Sequence, residues 1–307
     1  ARALDPAMRV NPLVATLLAG GSNVLPSGDH FIDVRYINLA KAADRRTAME
    51  TMLTAAVPPG TNSSYSRFEA IMAKARSSPE SVQANSQSSG SGGTCELSGG
   101  SAIMTAAELQ EKECPTTSGQ SWTDDKCSIL GCYLSHLGVL HDYIASNRRS
   151  KYLLVAEDDL NVTRAFFDQL PSLLQNVPEP FHIVRFATWA VNETDRLPAT
   201  VSAANPVYVP RGRPSEIKYL GATAVLYQRE TAVQTLNMML SKCAQPPEAL
   251  MMMRGDEGDS YFTGSANHSW PAFRSFVMDT PELINIGGMS EVDNRHDFEK
   301  KNDHEQP

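Results

Sequence analysis

The sequence predicts an α/β protein built on a doubly wound, mostly parallel central sheet flanked by helices. Three observations carry that expectation: a β-rich segment that leads into a helix, an uninterrupted apolar run that ends in three acids, and a continued alternation of strand-like and helix-like stretches. Phe31 to Leu39 (FIDVRYINL) reads as the first strand, and Ala40 to Leu53, closing on Met49, Met52 and Leu53, as loop and helix. From Cys127 to Asn147 the apolar residues Leu130, Tyr133, Leu134, Leu137, Leu140 and Ile144 recur at helical spacing, and Ser150 breaks the pattern. Tyr152 to Ala156 (YLLVA) has the continuous apolarity of a strand buried on both faces. Phe181 to Ala187 and Ala222 to Tyr227 are further strands, the second followed by a helix from Glu230 to Cys243.

Around this core, residues 1–30 lack sustained periodicity and suit an extension or stem, and 31–290 hold the folded domain. Within it, 77–120 opens with SSPESVQANSQSSGSGG and is expected to be a flexible Ser/Gly-rich insertion. The charged, apolar-poor stretch 291–307 reads as a frayed tail.

The 27 Lys and Arg against 35 Asp and Glu give a net charge of -8, which excludes broad attraction to nucleic acid or anionic lipid. Leu13 to Ala19, the longest apolar run near the start, falls short of the ~20 residues that cross a bilayer. Membrane attachment is therefore expected only through a segment outside this chain. Of five cysteines, Cys95, Cys114 and Cys127 lie where pairing is possible, whereas Cys132 and Cys243 sit in apolar patterns that suggest buried thiols. Sequons at Asn62, Asn161, Asn192 and Asn267 lean towards the secretory pathway, although a glycan on Asn161 would crowd the acidic cluster beside it.

That cluster, Glu157-Asp158-Asp159, is the strongest chemical signal. Strand ends in open α/β sheets face the ligand crevice, and residues two apart point to one side, so Glu157 and Asp159 are positioned to share an ion. Carboxylate oxygens favour Mg²⁺ or Mn²⁺, which neutralises a departing diphosphate. The plainer alternative is a solvated acidic turn.

YINL followed by Asp44-Arg45-Arg46, then Arg67-Phe68-Glu69-Ala70, then Gly131-Cys132-Tyr133-Leu134-Ser135-His136, then VAEDDL, resembles glycosyltransferase family 25, the family of bacterial lipopolysaccharide and animal collagen galactosyltransferases. Gly221 to Ala224 and the stretch from Pro281 to Ser290 resemble family features less specifically. The resemblance implies a GT-A fold, a UDP-sugar donor, dependence on Mn²⁺ or Mg²⁺ and inversion at the anomeric carbon. By position it implies that Glu157 and Asp159 hold the metal within the motif completed by Asp158. It likewise places Asn38, Leu39, Asp44 and Arg45 by the nucleotide, with Ser135 and His136 orienting the acidic motif or contacting the donor. A chain of net negative charge needs local cations for a diphosphate; Arg45, Arg46 and Arg67 are the candidates, a surface position being the alternative for each.

Cys132 and His136, four apart on a helix, have a metal-compatible spacing, but one Cys/His pair is an incomplete zinc site and a structural role is expected. An inverting transfer also needs a base to take the acceptor hydroxyl's proton. Asp256 and Asp259, in MMMRGDEGD, are the candidates, with the choice open and a solvated loop as the alternative; Arg185 and Trp189 are candidates for the acceptor side. The expected function is transfer of a hexose, galactose by resemblance, to a hydroxyl of a glycan or protein. The setting is the lumen of the secretory pathway, or the cytoplasm for a bacterial chain. The rival readings are a non-catalytic binding or adhesion relative and a metal-dependent hydrolase.

Overall fold

The computed structural model describes residues 31–58, 64–76, 94–100, 124–146, 150–186, 195–200, 205–209, 223–242 and 274–286. Strand β1 (Ile32–Asn38) leads through helix α1 (Ala43–Ala56) to β2 (Ser64–Glu69). Strands β3 (Met72–Arg76) and β4 (Thr94–Ser98) form a hairpin, followed by helix α2 (Asp124–Ala145). Next come β5 (Tyr152–Glu157), β6 (Leu160–Val162), helix α3 (Arg164–Leu174) and β7 (Ile183–Phe186). Strands β8 (Val207–Tyr208) and β9 (Ala224–Gln228), helix α4 (Arg229–Lys242), β10 (Ser275–Met278) and β11 (Ile284–Ile286) complete the described elements.

The central sheet has the order β2-β1-β5-β9-β7-β10-β8. Pairs β1/β2, β1/β5 and β7/β10 are parallel; β9 runs antiparallel to both β5 and β7, and β8 antiparallel to β10. Five of the seven strands among the described residues therefore share one direction, which agrees with the expected mostly parallel sheet. β5 is buried from Tyr152 through Ala156, as a strand covered on both faces must be.

The covering follows the pleat. Leu153 and Val155 join a core with Leu134, Leu137 and Leu140 of α2 and Leu236 of α4. Tyr152, Leu154 and Ala156 turn the other way, against Met49 and Leu53 of α1 and Phe166, Leu170 and Leu174 of α3. The result is three layers, α1 and α3 on one face and α2 and α4 on the other. No described helix is long and apolar enough to cross a membrane.

Several elements differ from the sequence reading. The strand expected over Phe181 to Ala187 begins at Ile183, because the Phe181 N–H is taken by the Gln228 side chain at 2.8 Å rather than by a neighbouring strand. Thr94–Ser98, inside the stretch expected to be a flexible insertion, forms β4. Two things order this polar segment: the ladder with β3, and a disulfide from Cys95 to Cys127 of α2. Helix α2 lies tight against that hairpin. A Cβ at Gly131 would stand 2.6 Å from the Ile71 carbonyl oxygen and 3.1 Å from the Ala73 nitrogen, so only glycine allows the approach. Gly99, at φ +83°, has the same relation to the Ala70 carbonyl oxygen, at 2.5 Å.

Candidate functional site

The site begins where two parallel strands end side by side. Ile37 is in register with Glu157, so Asn38 and Asp158 emerge together from the carboxyl ends of β1 and β5. From β1 the chain first passes to β2 on one side, and β5 then takes the other side; ligands of open α/β sheets bind at such a reversal.

Asn38 is 1% exposed and organises what surrounds it. Its Nδ2 donates to Asp158 Oδ2 at 2.6 Å and to the Ala42 carbonyl at 3.1 Å. Its Oδ1 accepts from Arg67 Nε at 3.2 Å, and Arg67 Nη2 donates to the Asn38 carbonyl at 3.3 Å. Arg45 Nη1 lies 3.4 Å from the other Asp158 oxygen, and Arg67 Nη1 lies 3.9 Å from Glu69 Oε2. A charged chain thus runs Arg45–Asp158–Asn38–Arg67–Glu69, tying α1, β5, β1 and β2 together.

Beside it, an open pocket of about 280 Å³ surrounds the first turn of α1, lined by Lys41, Ala42, Ala43, Asp44 and Arg45. The residue that starts this helix, Ala42, offers no side-chain cap, so the pocket receives the positive end of the helix dipole as well as two cationic side chains. Asp44 is exposed. Leu39 is partly buried against the core, and its carbonyl accepts the Ala42 N–H at 3.0 Å. Arg46, half-buried on α1, is near enough to Tyr36 to favour its ionised form; burial and a hydrogen bond to Glu50 nevertheless hold that phenol well above its usual range.

Glu157 turns to the opposite face. Its Oε1 lies 3.3 Å from His136 Nε2 and accepts from the Cys132 thiol at 3.2 Å. Burial pushes this carboxyl up, but the His136 and Cys132 contacts outweigh it and leave the group below the usual glutamate value. The His136 ring is fully buried, and its Nδ1 has no hydrogen-bond partner among the described residues. Ser135, also buried, donates to the Gly131 carbonyl at 2.7 Å and accepts the Ile71 N–H at 2.8 Å, so it docks the β3 backbone on α2. With both side chains enclosed, Ser135 and His136 act through what they hold.

The alternation that was to place Glu157 and Asp159 on one side does not run through them. β5 ends at Glu157, and Asp158 and Asp159 form a turn. The described group of three metal-ligating side chains whose donor atoms lie within 4.8 Å of one another is Cys132, His136 and Glu157, without Asp158 or Asp159. Arg185 is wholly buried in β7. Asp256, Asp259 and Trp189 lie outside the described residues. The sequence reading missed Glu69 as a partner of Arg67 and Glu157 as a third member beside Cys132 and His136. Charge spacing within β2 signals the first; nothing local signals the second, because the two segments meet only across the fold.

A family model described as glycosyltransferase family 25 (LPS biosynthesis protein) matches residues 32–211, more than half of the chain and all of the network just described. The chain belongs to glycosyltransferase family 25. The segments that carried the resemblance, from YINL to VAEDDL, all fall within the match. In this family-25 chain the arginine-containing and acidic motifs converge on one strand-end crevice, while Gly131 and Ser135 of GCYLSH pack the helix behind it. No curated protein matches the chain at a significant level. Among solved structures, one similar chain is a glycosyltransferase involved in the glycosylation of the major capsid of PBCV-1. It is 8% identical with a TM-score of 0.41, over 88% of this chain and 98% of that one.

Proposed function

We propose that this family-25 glycosyltransferase is metal-dependent and inverting, and moves a hexose, galactose, from a UDP-sugar to a hydroxyl of a glycan or protein acceptor. The observation that carries the reading is the network of Arg45, Asp158, Asn38 and Arg67 at the strand reversal, opening beside the pocket at the start of α1. A helix start with Lys41 and Arg45 at hand suits a diphosphate, since backbone N–H groups, dipole and cations all favour the same charge. Galactose and the acceptor class are proposed on the family resemblance alone.

Glu157 and Asp159 are the proposed carboxylate ligands of Mn²⁺ or Mg²⁺. Ions of this kind are bound by one or two carboxylates and completed by substrate phosphates; with Oε1 held by His136 and Cys132, Glu157 would offer its second oxygen, and Asp159 a carboxylate from the turn. When bound, the ion offsets the charge of the departing diphosphate. Asn38 holds Asp158 and Arg67 in place, Arg45 and Lys41 face the diphosphate, and Asp256 or Asp259 is the proposed base for the acceptor hydroxyl. The Cys95–Cys127 disulfide and the sequons at Asn62, Asn192 and Asn267 support a place in the oxidising lumen of the secretory pathway.

The test is calorimetric titration with UDP, with and without Mn²⁺, followed by UDP release from a panel of UDP-sugars. Metal-dependent binding with one preferred donor is expected, and Asp159→Ala is expected to abolish turnover. Unchanged turnover in that variant would remove the site assignment, and no UDP binding in either condition would overturn the donor reading.

A further inference from the structure

We infer that Cys132, His136 and Glu157 form a site for a zinc-class transition metal, separate in chemistry from the hard ion proposed for the donor. Two ligands come from one face of α2, at the i,i+4 spacing, and the third from the end of β5. The pair that is incomplete in the sequence is completed by the fold.

Distances and donor chemistry carry the inference. Zinc bonds of ordinary length at tetrahedral angles separate a nitrogen from a carboxylate oxygen by about 3.4 Å and a thiolate sulfur from that oxygen by about 3.6 Å. The corresponding separations here are 3.3 Å and 3.2 Å, and all three donor atoms lie within 4.8 Å of one another. Sulfur, imidazole nitrogen and one carboxylate oxygen are a borderline-soft set; it discriminates against Mg²⁺, which requires oxygen, and in favour of zinc. The His136 ring adds an independent observation. It is 0% exposed and its Nε2 is aimed at this cluster, at 3.3 Å from Glu157 Oε1. A buried imidazole whose one described polar contact is a 3.3 Å approach to a carboxylate costs desolvation for little return, and metal ligation changes that balance.

Among the described residues three protein ligands are at hand, so a fourth tetrahedral position remains for water, substrate or a further ligand. Binding displaces the Cys132 thiol proton to solvent as the Sγ–metal bond forms, so proton release accompanies it. Only Glu157 Oε1 is used, which makes this carboxylate the link between the zinc-class site and the acidic turn beside it.

The experiment uses the full chain with its disulfide intact, freed of metal by a chelator and titrated with Co²⁺, then with Zn²⁺. A thiolate-to-cobalt charge-transfer band in the near ultraviolet and the intense visible bands of a tetrahedral ion are expected, both bleached by one equivalent of Zn²⁺. Cys132→Ser is expected to lose the charge-transfer band. Cys132→Ser and His136→Asn are each expected to weaken Zn²⁺ binding by more than about a hundredfold, beyond what loss of a mere outer partner costs. Circular dichroism and urea denaturation of the same variants show whether each remains folded. No charge-transfer band in the parent protein, or a band that survives in Cys132→Ser, overturns the site. Because no nucleotide is present in the titration, its failure leaves the donor reading standing, and failure of UDP to bind leaves the metal result standing.

Discussion

Replacing Asn38 with Asp tests the centre of the site with almost no change of shape. The Nδ2 that donates to Asp158 at 2.6 Å and to the Ala42 carbonyl becomes an oxygen that can donate to neither. Two ionised carboxylates at that separation repel by about 6 kcal/mol at an effective dielectric of about 20. Arg45, 3.4 Å from Asp158, and Arg67, 3.2 Å from Asn38 Oδ1, offset part of the repulsion, and the lost hydrogen bonds add to what remains. The expected net loss of stability at pH 7 is about 2–4 kcal/mol. A proton shared between the carboxyls relieves the repulsion, so the folded pair titrates above the ordinary aspartate value. The loss should therefore shrink, below about pH 3.9, to roughly 1 kcal/mol for the missing Ala42 bond, and should grow as pH rises through the raised folded value. Urea denaturation of parent and variant across this range measures it, with Asn38→Ala as the control that removes the bonds without adding charge. A loss that does not vary with pH, or one below about 1 kcal/mol at pH 7, would refute the reasoning.

Three further outcomes are expected. Gly131→Ala forces a methyl group into the Ile71 and Ala73 backbone and should destabilise the fold by about 1–3 kcal/mol, read as a lowered Tm; an unchanged Tm would show that α2 and β3 are not so closely apposed. Reducing the Cys95–Cys127 bond, which spans a sequence separation of 32, should cost about 3–4 kcal/mol of unfolding free energy, read by denaturant titration, and Cys95→Ser should match the reduced parent. For Glu157, a folded value below the usual 4.5 means that its ionised form stabilises the protein above that pH and that this contribution disappears as pH falls through the folded value. Glu157→Gln in metal-free protein should therefore be less stable than the parent near neutrality and converge with it in acid; a gap that persists in acid points to packing.

Much of this architecture is legible along the chain. Helix α2 is readable because Leu130, Leu134 and Leu137 repeat at the helical period, and β5 because YLLVA has no polar interruption. The direction of β9 is not readable, since AVLYQ is as fully buried between antiparallel neighbours as a parallel strand would be. β2 and the β3–β4 hairpin are hidden for another reason: residues Ser64 to Arg67 of β2 are only partly buried and carry no apolar alternation, and β4 is held by pairing and a disulfide rather than by composition.

The candidate site divides along the same line. Residue types and their order along the chain were enough to select the three acids, and resemblance to the family, joined for Arg45 and Arg67 by the need for local cations, selected Asn38, Arg45 and Arg67. Which acid meets which partner was decided only when β1 and β5 came into register. Asp158 was thereby aimed at Asn38 and Arg45 on the α1 side, and Glu157 at Cys132 and His136 on the α2 side. Neighbouring residues at a strand end leave on opposite faces, so Glu157 and Asp158 serve two environments, and only the packing of helices against each face determines what those environments contain.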